Sequence, residues 1–274
     1  MIRIGQIPYL NCILFFHGLE NEPDISLEPL VPRALSSAAA EGEVDAGPVP
    51  LVTTWEIEER YAPLGDFCIS TIDRARSVLL FSRRPFDRLE GAEIGVTNET
   101  STSVRLLKVL LMHAWRVRPV RFTRVDWQKN DAFLLIGDEA LLHRRGVKDY
   151  PHVADLGEVW RKWTGLPFVF ARWVVRRDLP AGENARLVRM LDHSVAEGWA
   201  HLERVASPRA AALNMSIEEM REYLQGFRFR MTVAEHQSID RFRQFDAAAR
   251  EAGLVGPGLP APNDGGRGVT GDIK

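Results

Sequence analysis

The chain has 274 residues, enough for one large domain or two lobes of ordinary size with a substantial buried core. Apolar residues make up 45% and charged residues 26%, the balance of an ordinary soluble globular protein. A formal net charge of −2 gives no global electrostatic case for a nucleic-acid or anionic-membrane partner. With only Cys12 and Cys68, neither a disulfide framework nor a cysteine metal knot is expected.

Residues 2–7 read as a strand that ends in Pro8-Tyr9-Leu10-Asn11, a turn into a helix. The apolar run that follows is short, broken by Asn11, and has no small-residue cleavage site before Glu20 and Glu22. It is therefore unlike a secretory signal, and no segment reaches the roughly 18 apolar residues of a membrane span. A cytoplasmic protein is expected. Strands at 26–31 and 44–49 alternate with helices at 33–41 and 51–60, and this rhythm implies parallel pairing through crossover helices.

A second set of elements begins at Ser77. Strands are expected at 78–82, 93–97, 120–125 and 132–136, with a helix at 103–115 whose Val104, Leu107, Leu110, Leu111 and Ala114 share one face. Residues 168–175 form a long apolar strand able to run back to the first set. Helices at 183–205, 208–213 and 216–224, a strand at 227–231 and a helix at 233–250 follow. Residues 256–274 are rich in Gly and Pro and read as a mobile tail. The expected architecture is a two-lobed α/β fold like the type II periplasmic binding proteins, with a mixed, mostly parallel sheet in each lobe. One lobe takes residues 1–75 and 175–255, the other 77–172, and a cleft lies between them.

Ligands of open α/β sheets sit at the carboxyl ends of strands, where free N–H groups of helix N-termini attract anions. Three segments qualify: Tyr9-Leu10-Asn11, Gly47-Pro48-Val49-Pro50, and Thr100-Ser101-Thr102-Ser103. The last is the most specific, since one hydroxyl is enough to cap a helix and four are present. The plain alternative is a capped helix with a polar loop. In Ile136-Gly137-Asp138-Glu139, Asp138 either faces the cleft as a proton-transfer group or caps the next helix. The turn Thr164-Gly165-Leu166, after an aromatic-rich stretch, is a candidate ring-binding wall. The seven histidines show no metal-ligand spacing, and there is no Gly-rich nucleotide loop, so neither a metal nor a cofactor is expected. Cys12 is either a thiol in the cleft or small buried packing.

In order along the chain, these segments resemble the menaquinone biosynthesis family that contains chorismate dehydratase and dihydroxynaphthoate synthase. The matching pieces are residues 4–11, 45–50, 68–70, 77–82, 100–103, 136–141, 155–157 with Trp160, and 164–171. The Tyr-x-Asn ending of the first strand is similar to the dehydratase branch. The other branch has a Ser-Pro-Cys-Pro-Asn-Asp type segment there. At 71–76 a Thr-Ile-Asp-Arg-Ala-Arg loop replaces the family's Gly-rich turn, so Arg74 and Arg76 either assist a dianionic substrate or reshape the loop.

The resemblance implies a hydro-lyase that converts chorismate to 3-[(1-carboxyvinyl)oxy]benzoate on the futalosine route to menaquinone. It implies Asn11, Ser70 and Asp138 at the reacting ring. Tyr9, Pro48, Val49, Arg76, Ser77, Thr100, Ser101, Thr102, Ser103, Gly137, Thr164, Gly165 and Leu166 would bind substrate. The proton acceptor stays open between Asp138 and the substrate's own side-chain carboxylate. A small-anion binding protein of the same fold and the sibling 1,4-dihydroxy-6-naphthoate synthase are the alternatives.

Overall fold

Apolar runs short enough to be strands end repeatedly at a proline, a glycine or a hydroxyl residue, and several of these stops lead into a helix in the computed structural model. The structure describes residues 1–118 and 120–251; the Gly- and Pro-rich segment from 256 onward lies outside the described residues. The chain opens with β1 (Ile2–Gln6), α1 (Ile13–Phe16), β2 (Ile25–Pro29), α2 (Pro32–Glu41), β3 (Ala46–Pro50), α3 (Leu51–Glu56) and β4 (Tyr61–Thr71). It then builds β5 (Val78–Ser82), β6 (Glu93–Val96), α4 (Thr102–Val109), β7 (Arg121–Arg124), β8 (Ala132–Ile136), α5 (Gly137–Leu142), β9 (His152–Asp155) and α6 (Leu156–Thr164). The strand β10 (Phe168–Arg176) is followed by α7 (Ala181–Ala200), α8 (Leu202–Ala212), α9 (Ile217–Gln225), β11 (Phe227–Arg230) and α10 (Val233–Glu251).

Two sheets result, in the orders β11-β4-β10-β3-β1-β2 and β7-β6-β8-β5-β9. Both are mixed, but parallel pairing is not the majority expected from the sequence. In the first sheet β1 runs parallel to β2 and β3, whereas β10 is antiparallel to β3 and β4, and β11 to β4. In the second, β6 is parallel to β7 and β8, and β5 is antiparallel to β8 and β9. The cause is the connection between sheets. The chain leaves the first sheet along β4 and re-enters it along β10, so the two long strands pair head to tail.

Two elements were not visible as strands in the sequence. Pro63, Gly65 and the exposed Asp66 interrupt the apolar pattern of β4, and only its second half, from Phe67, is continuously buried. The short β9 has one half-buried and one exposed residue out of four. The long helix expected at 103–115 is α-helical to Val109 and then opens into a π-turn over Leu110–Ala114, which keeps Leu110 and Leu111 buried.

Each sheet has its own apolar core. Beneath the first, Phe15 meets Phe67, Trp173 and Phe229 edge-on at 5.9, 5.3 and 5.4 Å between ring centroids. Trp160, Phe168 and Phe242 form the corresponding cluster beside the second. Phe242 comes from α10, which packs on both α4 and β10. A buried ion pair, Arg105 of α4 with Asp246 of α10, fastens that contact.

Candidate active site

The strands of both sheets end on a common cleft, and helices begin there. Pro32 at the start of α2, Pro50 before α3, Ser101–Ser103 at the start of α4 and Gly137 at the start of α5 all line it. Free backbone N–H groups and partial positive charge are therefore concentrated in one place. Ile7, Ile69, Val78, Ile136, Phe170, Ala171 and Phe227 supply an apolar wall. The free space in the cleft is about 60 Å³.

The four hydroxyls divide their work. Thr100 Oγ1 accepts from the Val104 amide at 3.2 Å, which caps α4. Thr102 Oγ1 accepts from the Val52 amide at 3.4 Å and so ties α4 to α3. Ser101 Oγ lies 3.4 Å from Ser36 Oγ of α2. Ser103 also lines the cleft and is nearly buried. One of the four is a cap; two others join elements of opposite sheets.

Tyr9 and Asn11 come from the turn after β1. The Tyr9 hydroxyl donates to Glu99 Oε2, a contact that also crosses between the sheets. Its ring lies against Gly137, where φ is +59° and a Cβ would stand 2.6 Å from Tyr9 Cε2. Only glycine fits there, for both reasons. The Gly137 amide donates to the Ser77 carbonyl at 2.8 Å, and the Ser77 hydroxyl accepts from Tyr223 at 2.8 Å. Asn11 Oδ1 accepts from the Cys12 thiol at 3.3 Å.

No Lys, Arg, His, Asp or Glu is among the described residues that line the cleft. Its titratable groups are Tyr9 and Cys12. Burial, and then the Glu99 carboxylate, raises Tyr9; burial raises the Cys12 thiol well above its ordinary value. Both are neutral at physiological pH. Cys12 is packing with a protonated thiol, not a nucleophile. The cleft thus has hydrogen-bond donors suited to anions and, among the described residues that line it, no group with the basicity to take a proton from carbon.

The structure brings together Tyr9, Asn11, Ser77, Thr100, Ser101, Thr102, Ser103 and Gly137. The other residues expected at the site lie elsewhere, each for a definable reason. Asp138 does not face the cleft: Oδ1 accepts from the Leu10 amide at 2.9 Å and Oδ2 from Arg209 Nε. Burial raises its carboxyl, against the lowering effect of these two donors, but both oxygens are already engaged. Ser70 is fully buried and donates to Glu235 Oε1 at 3.3 Å, while its neighbour Ile69 lines the cleft. Pro48 and Val49 lie within β3, opposite Trp173 and Arg172, and Pro50 reaches the cleft in their place.

Arg76 pairs with Glu222 at 2.6 Å and Arg74 with Glu158 at 3.0 Å, so neither is presented to a ligand in the cleft. The loop that carries them is held by Asp155, which accepts from the Ala75 and Arg76 amides at 3.0 and 2.5 Å. Thr164, Gly165 and Leu166 form the C-terminal turn of α6, closed by Thr164 Oγ1 on the Trp160 carbonyl at 2.8 Å. Phe170, further along the same segment, is the ring-sized wall. Sequence reasoning missed Pro32, Glu99 and Arg209. A proline at a helix start after a strand was a usable signal for Pro32; no local signal pointed to the other two.

A family model described as menaquinone biosynthesis matches residues 2–248. A chorismate dehydratase of Thermus thermophilus is 30% identical over 260 residues, covering 88% of this chain and 93% of that protein. Among solved structures, an Archaeoglobus fulgidus protein matches at TM-score 0.73 and 16% identity, over 93% of this chain and 98% of its own. The periplasmic aliphatic sulphonate binding protein of Escherichia coli matches at TM-score 0.60 and 15% identity, over 100% and 97%. The fold is periplasmic-binding-protein-like, as the element order led one to expect. Among the described residues, no helix is long and apolar enough to cross a membrane.

Proposed function

The chain belongs to the menaquinone biosynthesis family, and from that premise we propose that its cleft removes water from chorismate to give 3-[(1-carboxyvinyl)oxy]benzoate. The observation that carries this reading is a cleft with several helix N-termini and clustered hydroxyls but, among the described residues, no charged side chain on its lining. A cyclic dicarboxylate suits such a site. Its negative charges are met by N–H and O–H donors, while Ile69, Phe170 and Phe227 contact the ring. The Thermus relative named a chorismate dehydratase supports the choice of substrate.

In the elimination, the hydrogen on the ring carbon bearing the enolpyruvyl ether leaves as a proton. Its electron pair is delocalised toward the ring carboxylate, the neighbouring hydroxyl departs with a proton as water, and the ring becomes aromatic. The protein's task is to hold the conjugated carboxylate where charge accumulates and to fold the side chain over the ring. We assign the first task to the N-terminal turn of α4 with Ser101 and Ser103, and orientation of the ring to Asn11 and Tyr9. With Tyr9 and Cys12 both protonated, the substrate's own side-chain carboxylate is the proton acceptor.

Contacts cross the cleft, Tyr9–Glu99 and Ser36–Ser101 among them, and in this reading they part to admit the substrate and close around it. The deciding experiment is incubation of the purified chain with chorismate, followed by ultraviolet absorbance and mass analysis for an aromatic product lighter by one water. Binding without turnover would favour a small-anion binding protein and overturn the proposal.

A further inference from the structure

A second cavity, of about 300 Å³, lies between β4, β10, α3 and α10. Ala171 lines the cleft, and its neighbour Arg172 lines this cavity. Leu51, Val174 and Ile239 form an apolar wall, with Trp55 beside them.

Arg172 is the unusual member. It sits in the middle of the first sheet, opposite Val49 and Cys68, and its Nε is buried without a hydrogen-bond partner. Among the described residues no ion pair satisfies its guanidinium, although the Asp66 carboxylate acts on it at longer range. The other charges at the cavity are better matched. Arg177 Nε donates to the Glu58 carbonyl at 3.0 Å, and Arg243 stands 3.9 Å from the Glu58 carboxylate and 5.5 Å from the Trp55 ring centroid. His236 is 3.5 Å from Asp66, and Asp240 completes the rim. A buried N–H without an acceptor, here Nε of the half-buried Arg172, is costly, and a ligand that brings a carboxylate to the guanidinium offsets part of that cost.

We infer that this cavity binds a small organic monocarboxylate, its carboxylate on the Arg172 guanidinium and its apolar body against Leu51, Val174 and Ile239. The planar fork of a guanidinium matches a carboxylate through two parallel bonds. The volume is at the lower end of the range for small-molecule sites. An apolar wall beside the Arg172 guanidinium favours an organic anion over a bare inorganic one. The assignment stands apart from the chemistry of the cleft.

Calorimetric titration of the full chain with benzoate tests it, with benzyl alcohol as the uncharged probe and inorganic phosphate as the bare anion. Benzoate binds the unaltered protein, and neither other probe matches it. Arg172→Gln weakens benzoate about tenfold or more, and Arg172→Lys restores part of the loss. Ile239→Trp, which fills the cavity from α10, removes binding without touching the sheet. Ser101→Ala, in the cleft, leaves the affinity within about twofold of the unaltered protein, a free-energy change well under that of one hydrogen bond. The inference is overturned by any of these results: no benzoate binding, equal affinity in Arg172→Gln, loss in Ser101→Ala instead, or phosphate bound as tightly as benzoate.

Discussion

Asp138→Asn separates two roles that the same carboxylate could play. In the structure Asp138 is on α5, at the end of a strand of the second sheet, and it holds the Leu10 amide at 2.9 Å and Arg209 Nε. Arg209 also donates to the Pro8 carbonyl at 2.6 Å, so one pair of residues fixes both ends of the turn that carries Tyr9. An asparagine oxygen still accepts from Leu10, and what goes is the charge attraction to Arg209. A charge-assisted hydrogen bond contributes about 1.5–3 kcal/mol. The Arg209 side chain is 42% exposed, so solvent screening places the loss at the low end, about 1.5 kcal/mol or less. Because the contact joins elements of the two sheets, that energy comes out of closure. KM for chorismate should rise by up to about tenfold, with kcat little changed and the pH profile of kcat unaltered. Steady-state rates followed by product absorbance across pH measure both. A kcat lower by orders of magnitude at constant KM, with an ionisation missing from the profile, would make Asp138 the proton acceptor and refute the reasoning.

Gly137→Ala places a methyl group 2.6 Å from the Tyr9 ring at a φ of +59°. The left-handed backbone alone costs about 1–2 kcal/mol, which corresponds to a melting temperature lower by about 2–8 °C, and displacement of Tyr9 should raise KM as well. Unchanged melting and kinetics would show that the ring is not seated on Gly137. Asp45→Asn tests a pH dependence. Burial of Asp45 raises its carboxyl, but hydrogen bonds from the Arg3 side chain and amide, with Arg176 nearby, outweigh that and hold it below the ordinary value. A carboxyl depressed on folding stabilises the protein above its unfolded pKa of about 3.9, and the contribution is lost as pH falls through the folded value. Denaturant unfolding should therefore find Asp45→Asn less stable by about 1–3 kcal/mol at pH 7, with the gap closing below about pH 4. A gap that persists at the acid end would assign the effect to packing.

The cleft was legible wherever its residues follow directly from local rules. Tyr9, Asn11, Thr100–Ser103 and Gly137 stand where a strand stops and a helix starts, and that junction is written in adjacent residues. The positions that were misplaced depend on something else. Ile69 and Ser70 differ only in which face of β4 they occupy, and a one-residue shift exchanges the two faces. The strand itself was concealed by Pro63 and Gly65, so its register had no anchor in the pattern.

Much of the local order along the chain was determined by the sequence itself: most of the strands, the strand-to-helix junctions at the cleft, and that hydroxyls rather than charges gather at the start of α4. Tertiary structure alone decided which partners distant residues found. Arg209 lies 71 residues beyond Asp138 and takes its carboxylate, and Glu235 lies 165 residues beyond Ser70 and takes its hydroxyl. The physical reason is that backbone preference and apolar periodicity act over a few residues. The direction of a polar side chain is settled by whichever acceptor or donor the completed packing brings within about 3 Å.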